Sequence, residues 1–432
     1  MKYVIIGNST AGIGAVEGIR QIDKQGEITI ITSEAHHTYS RPLISYFLLG
    51  KVTEEKMKYR SDNFYKDNNV SLLTETVAAK IDTDKKQVIL SNGSNVPYDK
   101  LLIAAGSSPF VPPFEGLENV KDKVTFMSLD DARKLDVALA RKKDAKVLII
   151  GAGLIGLKCA EGIAKRVCEI TIVDLAPRIL SSILDEEGAA IVQKHIESKN
   201  TCQSSSIVFK LSSSVKKFED SKAVLENGET VNFDILVLAV GVRPNTSLLK
   251  DIADIDRGII VNSKSETSAP NIYAAGDCTQ TTDVSSGQNK IMALLPNAYM
   301  QGECAGINMA SDTANNNGSK SFDKAIPMNA IGFSGLHMIT AGNYTGESFL
   351  ENNSAESGTK SGGKNYKKLF YSDNKLNGYI LIGNVEKAGI YTNMIRERTP
   401  LGSIDFALVC EKPGLMAFTK EDRMKKLGGK II

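Results

Sequence analysis

Apolar runs and glycine turns alternate along the first two thirds of the chain in a repeated order. KYVIIGNSTAGIGAVEGIR, starting at Lys2, reads as strand, glycine turn and helix, and a second strand, EITIITSE, follows and closes on Glu34. The same order returns in KVLIIGAGLIGLKCAEGIAKR, starting at Lys146, followed by EITIVD, which closes on Asp174. Each is the opening of a βαβ unit. Three more apolar runs end in turn residues: KLLIAAGSSP at Ala104, Ala105 and Gly106, DILVLAVGVRPN at Gly241, and NIYAAGDCT at Gly276 and Asp277. A helix is expected to open near Asn297 in LLPNAYMQGECAG, with small residues Ala298, Gly302, Ala305 and Gly306 for close packing. The pattern then lapses into polar SDTANNNGSKS, residues 311–321. Beyond it, IPMNAIGF and KLFYSDNKLNGYILIG read as strands, with a hairpin signal from Asp373 to Gly378. VEKAGIYTNMIRER reads as a helix and ENNSAESGTKSGGKN as a mobile loop.

The two glycine turns share one physical logic. Glycines permit a tight turn, let backbone N–H groups approach a pyrophosphate, and open a helix whose N-terminal dipole favours negative charge. Gly151, Gly153 and Gly156 complete G-x-G-x-x-G, with Leu154 and Ile155 between the last two, and Asp174 lies near the offset of about 20 residues expected of an acid that binds ribose. The first copy keeps Gly7 and Gly12 but carries Ser9 at the middle position, which leaves the backbone accessible and adds a hydroxyl. Without a ligand, either turn would be only a tight strand-to-helix connection. An acid at 174 repels a 2′-phosphate, so the second site is expected to prefer NADH over NADPH, with Arg178 as the one nearby cation of opposite effect.

Length and composition narrow the function. A chain of 432 residues fits two or three domains, and a net charge of +2 offers nothing to attract nucleic acid or a membrane surface. The longest apolar run, Val147 to Leu157, ends at Lys158 and is well short of the ~18 residues of a membrane span. The first strand begins two residues after Met1, leaving no room for a signal peptide, so a cytoplasmic protein is expected. Six cysteines contain no C-x-x-C pair, which argues against a zinc site, an iron–sulfur cluster or a disulfide framework. His36 and His37 are expected as loop-surface residues and not as ligands.

The order of these motifs, over residues 1 to about 310, resembles the pyridine nucleotide–disulfide oxidoreductases, and within them the branch of NADH:rubredoxin reductases, oxygenase ferredoxin reductases and the flavin portion of assimilatory nitrite reductase. The resemblance implies an α/β fold with two Rossmann-like dinucleotide-binding domains, one for FAD and one for NAD, plus a C-terminal α+β interface domain of the kind that mediates homodimers. The FAD domain would be split, 1–113 and 245–310, around an NAD domain at 114–244, with the interface domain at 322–432. By the same resemblance Gly7, Ser9, Ala11, Gly12 and Glu34 hold the ADP half of FAD. Ala104, Ala105 and Gly106 lie where the chain crosses between domains, Asp277 beside Gly276 reaches the ribityl or pyrophosphate part, and the helix near Asn297 faces the flavin pyrimidine. Gly151, Gly153, Leu154, Ile155, Gly156, Asp174 and Gly241 would serve NADH.

YSRPLISYFLLG, residues 39–50, matches the place where members of this branch run from the ribose acid to the isoalloxazine ring. The resemblance gives Arg41 to an FAD phosphate and Pro42 to the flavin wall, with LISYFLL as a packed helix. In the disulfide- and peroxide-reducing relatives this helix supplies redox cysteines; here Leu43, Ile44 and Ser45 stand in that neighbourhood and the nearest cysteine in sequence is Cys159. No thiol relay can run from this helix. Two departures from the branch stand out: Tyr46 where a lysine is common, and Lys158 where a glutamate is common, the latter placed to pair with Glu161. The expectation is an FAD-dependent NADH oxidoreductase that passes single electrons to a small carrier of the rubredoxin or ferredoxin type, with no protein acid or base needed for hydride transfer. Reduction of oxygen, service as the flavin subunit of a nitrite reductase, and a redox-gated interaction protein are the alternatives. The basic tail, with Lys420, Arg423, Lys425, Lys426 and Lys430, would suit an acidic carrier or simply be a solvated face.

Overall fold

Tyr3 to Ile6 and Ile28 to Ile31 are runs of mostly β-branched residues with almost no exposure, which is what a parallel strand covered on both faces requires. In a computed structural model, which describes residues 1–199, 206–311, 318–353 and 365–426, they form the centre of a five-stranded parallel sheet. Its order is Ile272–Ala274, Lys100–Ile103, Lys2–Ile6, Glu27–Ile31, Val70–Leu73. Alternation sorts the side chains into two cores. Tyr3, Ile5, Ile28 and Ile30 pack with helices Thr10–Ile22 and Leu295–Ala310, while Val4, Ile6, Ile31 and Leu101 face Ile81, Val88 and Leu90 of a three-stranded antiparallel sheet.

The arrangement is repeated. Ser206–Lys210, Glu169–Val173, Lys146–Ile150, Ile235–Leu238 and Lys123–Thr125 form a second parallel sheet, and Leu148, Ile150 and Leu236 pack on Phe218 and Leu225 of its own three-stranded meander and on Phe233, which follows it. A short antiparallel pair, Ser107–Pro109 with Val242–Pro244, joins the two halves.

Helices Thr10–Ile22 and Leu295–Ala310 touch backbone to backbone. A Cβ at Gly302 would lie 2.0 Å from the carbonyl oxygen of Ala11, and one at Gly14 would lie 2.5 Å from that of Tyr299. The small residues expected in this helix are therefore what permits the contact.

Two compact units result: residues 1–180, 197–281 and 289–323 form one, and residues 181–196, 282–288 and 324–432 the other. The second is built on a five-stranded antiparallel sheet in the order Met328–Phe333, Leu336–Gly342, Lys375–Ile382, Asn365–Ser372, Glu347–Asn353. Its core joins Leu369, Tyr379 and Leu381 to Tyr391 and Ile395 of helix Ala388–Arg396. The hairpin signal resolves into a two-residue turn at Asp373 and Asn374, both at positive φ, a conformation these side chains tolerate. The helix read from VEKAGIYTNMIRER starts at Ala388 because Lys387 is left-handed (φ 62°).

Cys202, Lys430 and most of the expected 351–365 loop lie outside the described residues. Among the described residues no helix is long and apolar enough to cross a membrane.

Candidate functional site

Strands of the first sheet end in turns that bound a cleft of about 460 Å³. The first glycine turn, with Gly7, Ser9 and Ala11, forms one wall, Ala104, Ala105 and Gly106 a second, and Gly276 and Asp277 a third. Gly7 sits at φ 122°, and a Cβ there would lie 2.1 Å from the Ala104 carbonyl oxygen, so two strand ends converge only because this residue has no side chain. Gly12 does not line the cleft. A Cβ on it would lie 2.1 Å from the Gly7 carbonyl oxygen, so it lets the helix close onto the turn. Pro42 is exposed at the start of the 3₁₀ turn Arg41–Leu43, and Asn297 is buried with Nδ2 3.9 Å from Met292 Sδ, leaving Leu295 and Ala298 of its helix to line the cleft.

Glu34 and Arg41 face the same cleft and pair with each other. The strand stops at Ile31, and Glu34 lies three residues past its end in a turn where its N–H donates to Thr32 Oγ1 (3.3 Å). Arg41 also donates to Ser9 Oγ (3.3 Å), Tyr39 OH (3.1 Å) and the Met127 carbonyl (3.4 Å). Burial alone would lower its pKa, but Tyr39 and Glu34 outweigh that and hold the guanidinium above the usual arginine value. Asp277 shows the opposite balance: burial pushes its carboxyl above the usual carboxylate range, against the pull of Ser107 Oγ (3.4 Å) and Arg41.

Several residues at this cleft carried no signal in the sequence. Gln301, 3% exposed on helix Leu295–Ala310, accepts the Gly276 N–H (2.8 Å) and approaches Thr279 Oγ1 (3.0 Å), fixing the turn that carries Asp277. Asn245 donates to the Ala105 carbonyl (2.8 Å). Thr125, Met127, Ser128 and Asp131, from the stretch expected to serve NAD, also line the cleft, at a helix start closed by a reciprocal Ser128–Asp131 capping box. No local pattern marks these residues, since long-range packing alone brings them there.

The second turn copies the first with one informative change. Gly151 (φ 114°) closes against Ala239 and Gly156 against Gly151, as Gly7 and Gly12 do, whereas a Cβ at Gly153 would meet nothing within 4 Å. The fold leaves the space over Gly153 open, at the N-cap of helix Leu154–Ile163, whose first turn holds Leu154 and Ile155. Asp174 accepts Ala152 N–H (2.6 Å) and Ala176 N–H (2.7 Å), which places its carboxylate beside that turn. Gly241 is exposed at φ 116° with open space beside it.

Helix Ile44–Leu48 is shorter than LISYFLL suggested and packs on helix Leu154–Ile163: a Cβ at Gly162 would lie 3.1 Å from the Ser45 carbonyl oxygen. Tyr46 and Lys158 meet at this seam, with Nζ 5.0 Å from the ring centroid, and Lys158 pairs with Glu161. The five described cysteines are free, and burial pushes the Cys278 thiol up to about 12 and the Cys159 thiol well above its usual value. His36 and His37 are less exposed than expected. The His36 ring bonds Asp130 (2.8 Å), and the His37 ring packs edge-on against Tyr65 with a buried Nε2 that has no hydrogen-bond partner among the described residues. The loop turns inward: His36 and Tyr39 contact the start of helix Leu129–Arg141, and His37 packs against Tyr65.

Residues 1–302 match the pyridine nucleotide-disulphide oxidoreductase family, well over half of the chain. The chain belongs to that family. Residues 327–399 of this oxidoreductase match the C-terminal domain of rubredoxin NAD+ reductase. It is 32% identical over 406 residues to the NADH-dependent phenylglyoxylate dehydrogenase subunit epsilon of Aromatoleum evansii, covering 93% of this chain and 92% of that protein. It is also 32% identical over 321 residues to an NADH oxidase of Methanocaldococcus jannaschii, covering 72% and 70%. The solved NADH:rubredoxin oxidoreductase of Clostridium acetobutylicum aligns with TM-score 0.70 at 25% identity, covering 92% of this chain and 95% of that one. The family's cofactors are FAD and NADH, and the residues present fit them: the first cleft offers glycine-lined backbone, a cation and a partly buried acid, and the second turn leaves Gly153 open to a pyrophosphate.

Proposed function

We propose that this flavoprotein oxidises NADH and delivers the electrons singly to a small carrier protein of the rubredoxin or ferredoxin type. The observation that carries this is the pair of glycine turns, one opening a large lined cleft and one an open helix N-terminus, beside a helix without a thiol. FAD supplies the one chemical step the chain lacks, exchange between a hydride and two single electrons.

The chain's own residues bind and orient. Gly7, Ser9 and Ala11 present backbone to the diphosphate, with Arg41 as counter-charge and Glu34 as acceptor for ribose hydroxyls. Asp277, fixed by Gln301 through Gly276, accepts hydroxyls further along the cleft, and Ala104 to Gly106 border it. On the second site the NADH diphosphate is received over Gly153, in a turn that Gly151 and Gly156 allow to close, Asp174 accepts the adenosine ribose hydroxyls and repels a 2′-phosphate, and Gly241 leaves room on the far side. NADH gives up a hydride, which is two electrons and a proton, and leaves as NAD+. No protein group needs to take that hydride, and the buried thiols have no part in it.

An anaerobic absorption titration tests the reading. A flavin spectrum bleached by one equivalent of NADH, and far less readily by NADPH, is the expected result; a protein that binds no FAD defeats it. Added rubredoxin should then be reduced faster than oxygen.

A second reading is favoured by the near full-length match to a named subunit: the chain as the NADH-linked flavin subunit of a larger enzyme. It predicts slow turnover alone and fast turnover only with a partner chain. A cytoplasmic setting suits cysteines that are all free among the described residues.

A further inference from the structure

We propose that Tyr46 and Lys158 are positioning residues whose contact sets how closely the two nucleotides approach each other, an inference that rests on the FAD and NADH reading above. Tyr46 lies on helix Ile44–Leu48, which follows directly from Arg41 at the FAD cleft. Lys158 lies on helix Leu154–Ile163, whose N-cap is Gly153 of the NADH turn. Each helix is thus a short rigid extension of one nucleotide site, and the two extensions meet. Gly162 brings them into near-backbone contact at Ser45. The Lys158 ammonium stands 5.0 Å from the centre of the Tyr46 ring, within cation–π range, and Lys51 stands 5.6 Å from the same centre. Glu161 pairs with Lys158 and fixes its direction, and both side chains are under a fifth exposed, so solvent screens the contact less than it would an open surface pair.

The pairing also answers what a cation at 158 does. Neutralised by Glu161 and seated on an aromatic face, Lys158 adds no unbalanced charge to the seam. Its effect is geometric. Hydride transfer needs donor and acceptor atoms about 3–3.5 Å apart, and misplacement by about 1 Å can lower a rate by about 100-fold. A seam that slides would move one glycine turn relative to the other by that order.

The test uses the FAD-loaded full chain and the variants Tyr46→Leu, Tyr46→Phe, Lys158→Ala and Lys158→Arg. The readouts are the limiting rate of flavin reduction by NADH in anaerobic stopped flow, the NADH dissociation constant from the same titration, and the long-wavelength charge-transfer absorbance formed when NAD+ is added to the chemically reduced protein. Tyr46→Leu and Lys158→Ala should lower the limiting rate about 10- to 100-fold and weaken the charge-transfer absorbance. FAD content and NADH affinity should stay within about threefold. Tyr46→Phe, which keeps the ring, and Lys158→Arg, which keeps the cation, should behave as the wild type. Wild-type rates and full absorbance in both truncating variants would overturn the proposal, as would a Phe variant no better than the Leu variant. Should Tyr46→Leu fail to retain FAD, Lys158→Ala decides on its own from the opposite helix. A wild-type flavin that NADH does not reduce defeats the oxidoreductase reading instead, and is seen before any variant is made.

Discussion

At the scale of single residues, the cleft is organised by groups whose charge depends on burial. Asp277 is held above the usual carboxylate range by burial, so the folded protein keeps a proton that the unfolded chain releases as pH rises between the two pKa values. In that interval the cofactor-free protein loses stability with rising pH. Asp277→Asn should flatten this part of the pH–stability curve and stabilise the cofactor-free protein near neutrality, while weakening FAD binding about tenfold or more; thermal unfolding against pH and flavin release report the two effects separately. Gln301→Ala leaves the buried Gly276 N–H without its acceptor, a loss of about 1–3 kcal/mol. The expected result is a protein that folds but purifies with less flavin, measured by the ratio of visible to ultraviolet absorbance. A glutamine in a small-residue helix gave no hint of this role. The acid at the end of NIYAAGDCT could be read from the sequence, but what holds it could not.

At the scale of elements, helices Thr10–Ile22 and Leu295–Ala310 meet backbone to backbone beside the cleft. A Cβ at Gly302 has no room, because it would meet a backbone carbonyl and not a side chain that could swing away. Gly302→Ala should therefore force the helices apart, lowering stability by about 2 kcal/mol or more and FAD retention with it. Gly389→Ala is the matched control. It lies in helix Ala388–Arg396 with nothing within 4 Å of the added methyl, so it should be neutral or stabilise by up to about 1 kcal/mol. Denaturant midpoints of the two variants make the comparison. These elements were legible because small residues at helical spacing have one economical explanation, while their ends were less so: a turn at Thr32 and a left-handed Lys387 moved boundaries that apolar periodicity had drawn smoothly.

At the scale of the whole molecule, the proposed electron path runs from NADH through FAD to a carrier and assigns no step to a thiol. Burial raises the Cys278 and Cys159 thiols, so these two carry little thiolate at neutral pH, and because the proposed path uses no cysteine, alkylating reagents should leave NADH-driven reduction of an added carrier within about twofold of the untreated rate. Strong inhibition would mean that a cysteine takes part after all. The sequence by itself determined the two glycine turns and their acids, because these depend on short-range backbone geometry: a positive φ, a close approach, a helix start a few residues on; the order of those turns carried the family resemblance. Tertiary structure alone decided that Thr125, Met127, Ser128 and Asp131 line the first cleft, that Asn245 reaches back 140 residues to Ala105, and that Tyr46 meets Lys158. Contacts of that span depend on how sheets stack and chains cross, and no local pattern of apolar and polar positions encodes which distant segments will meet.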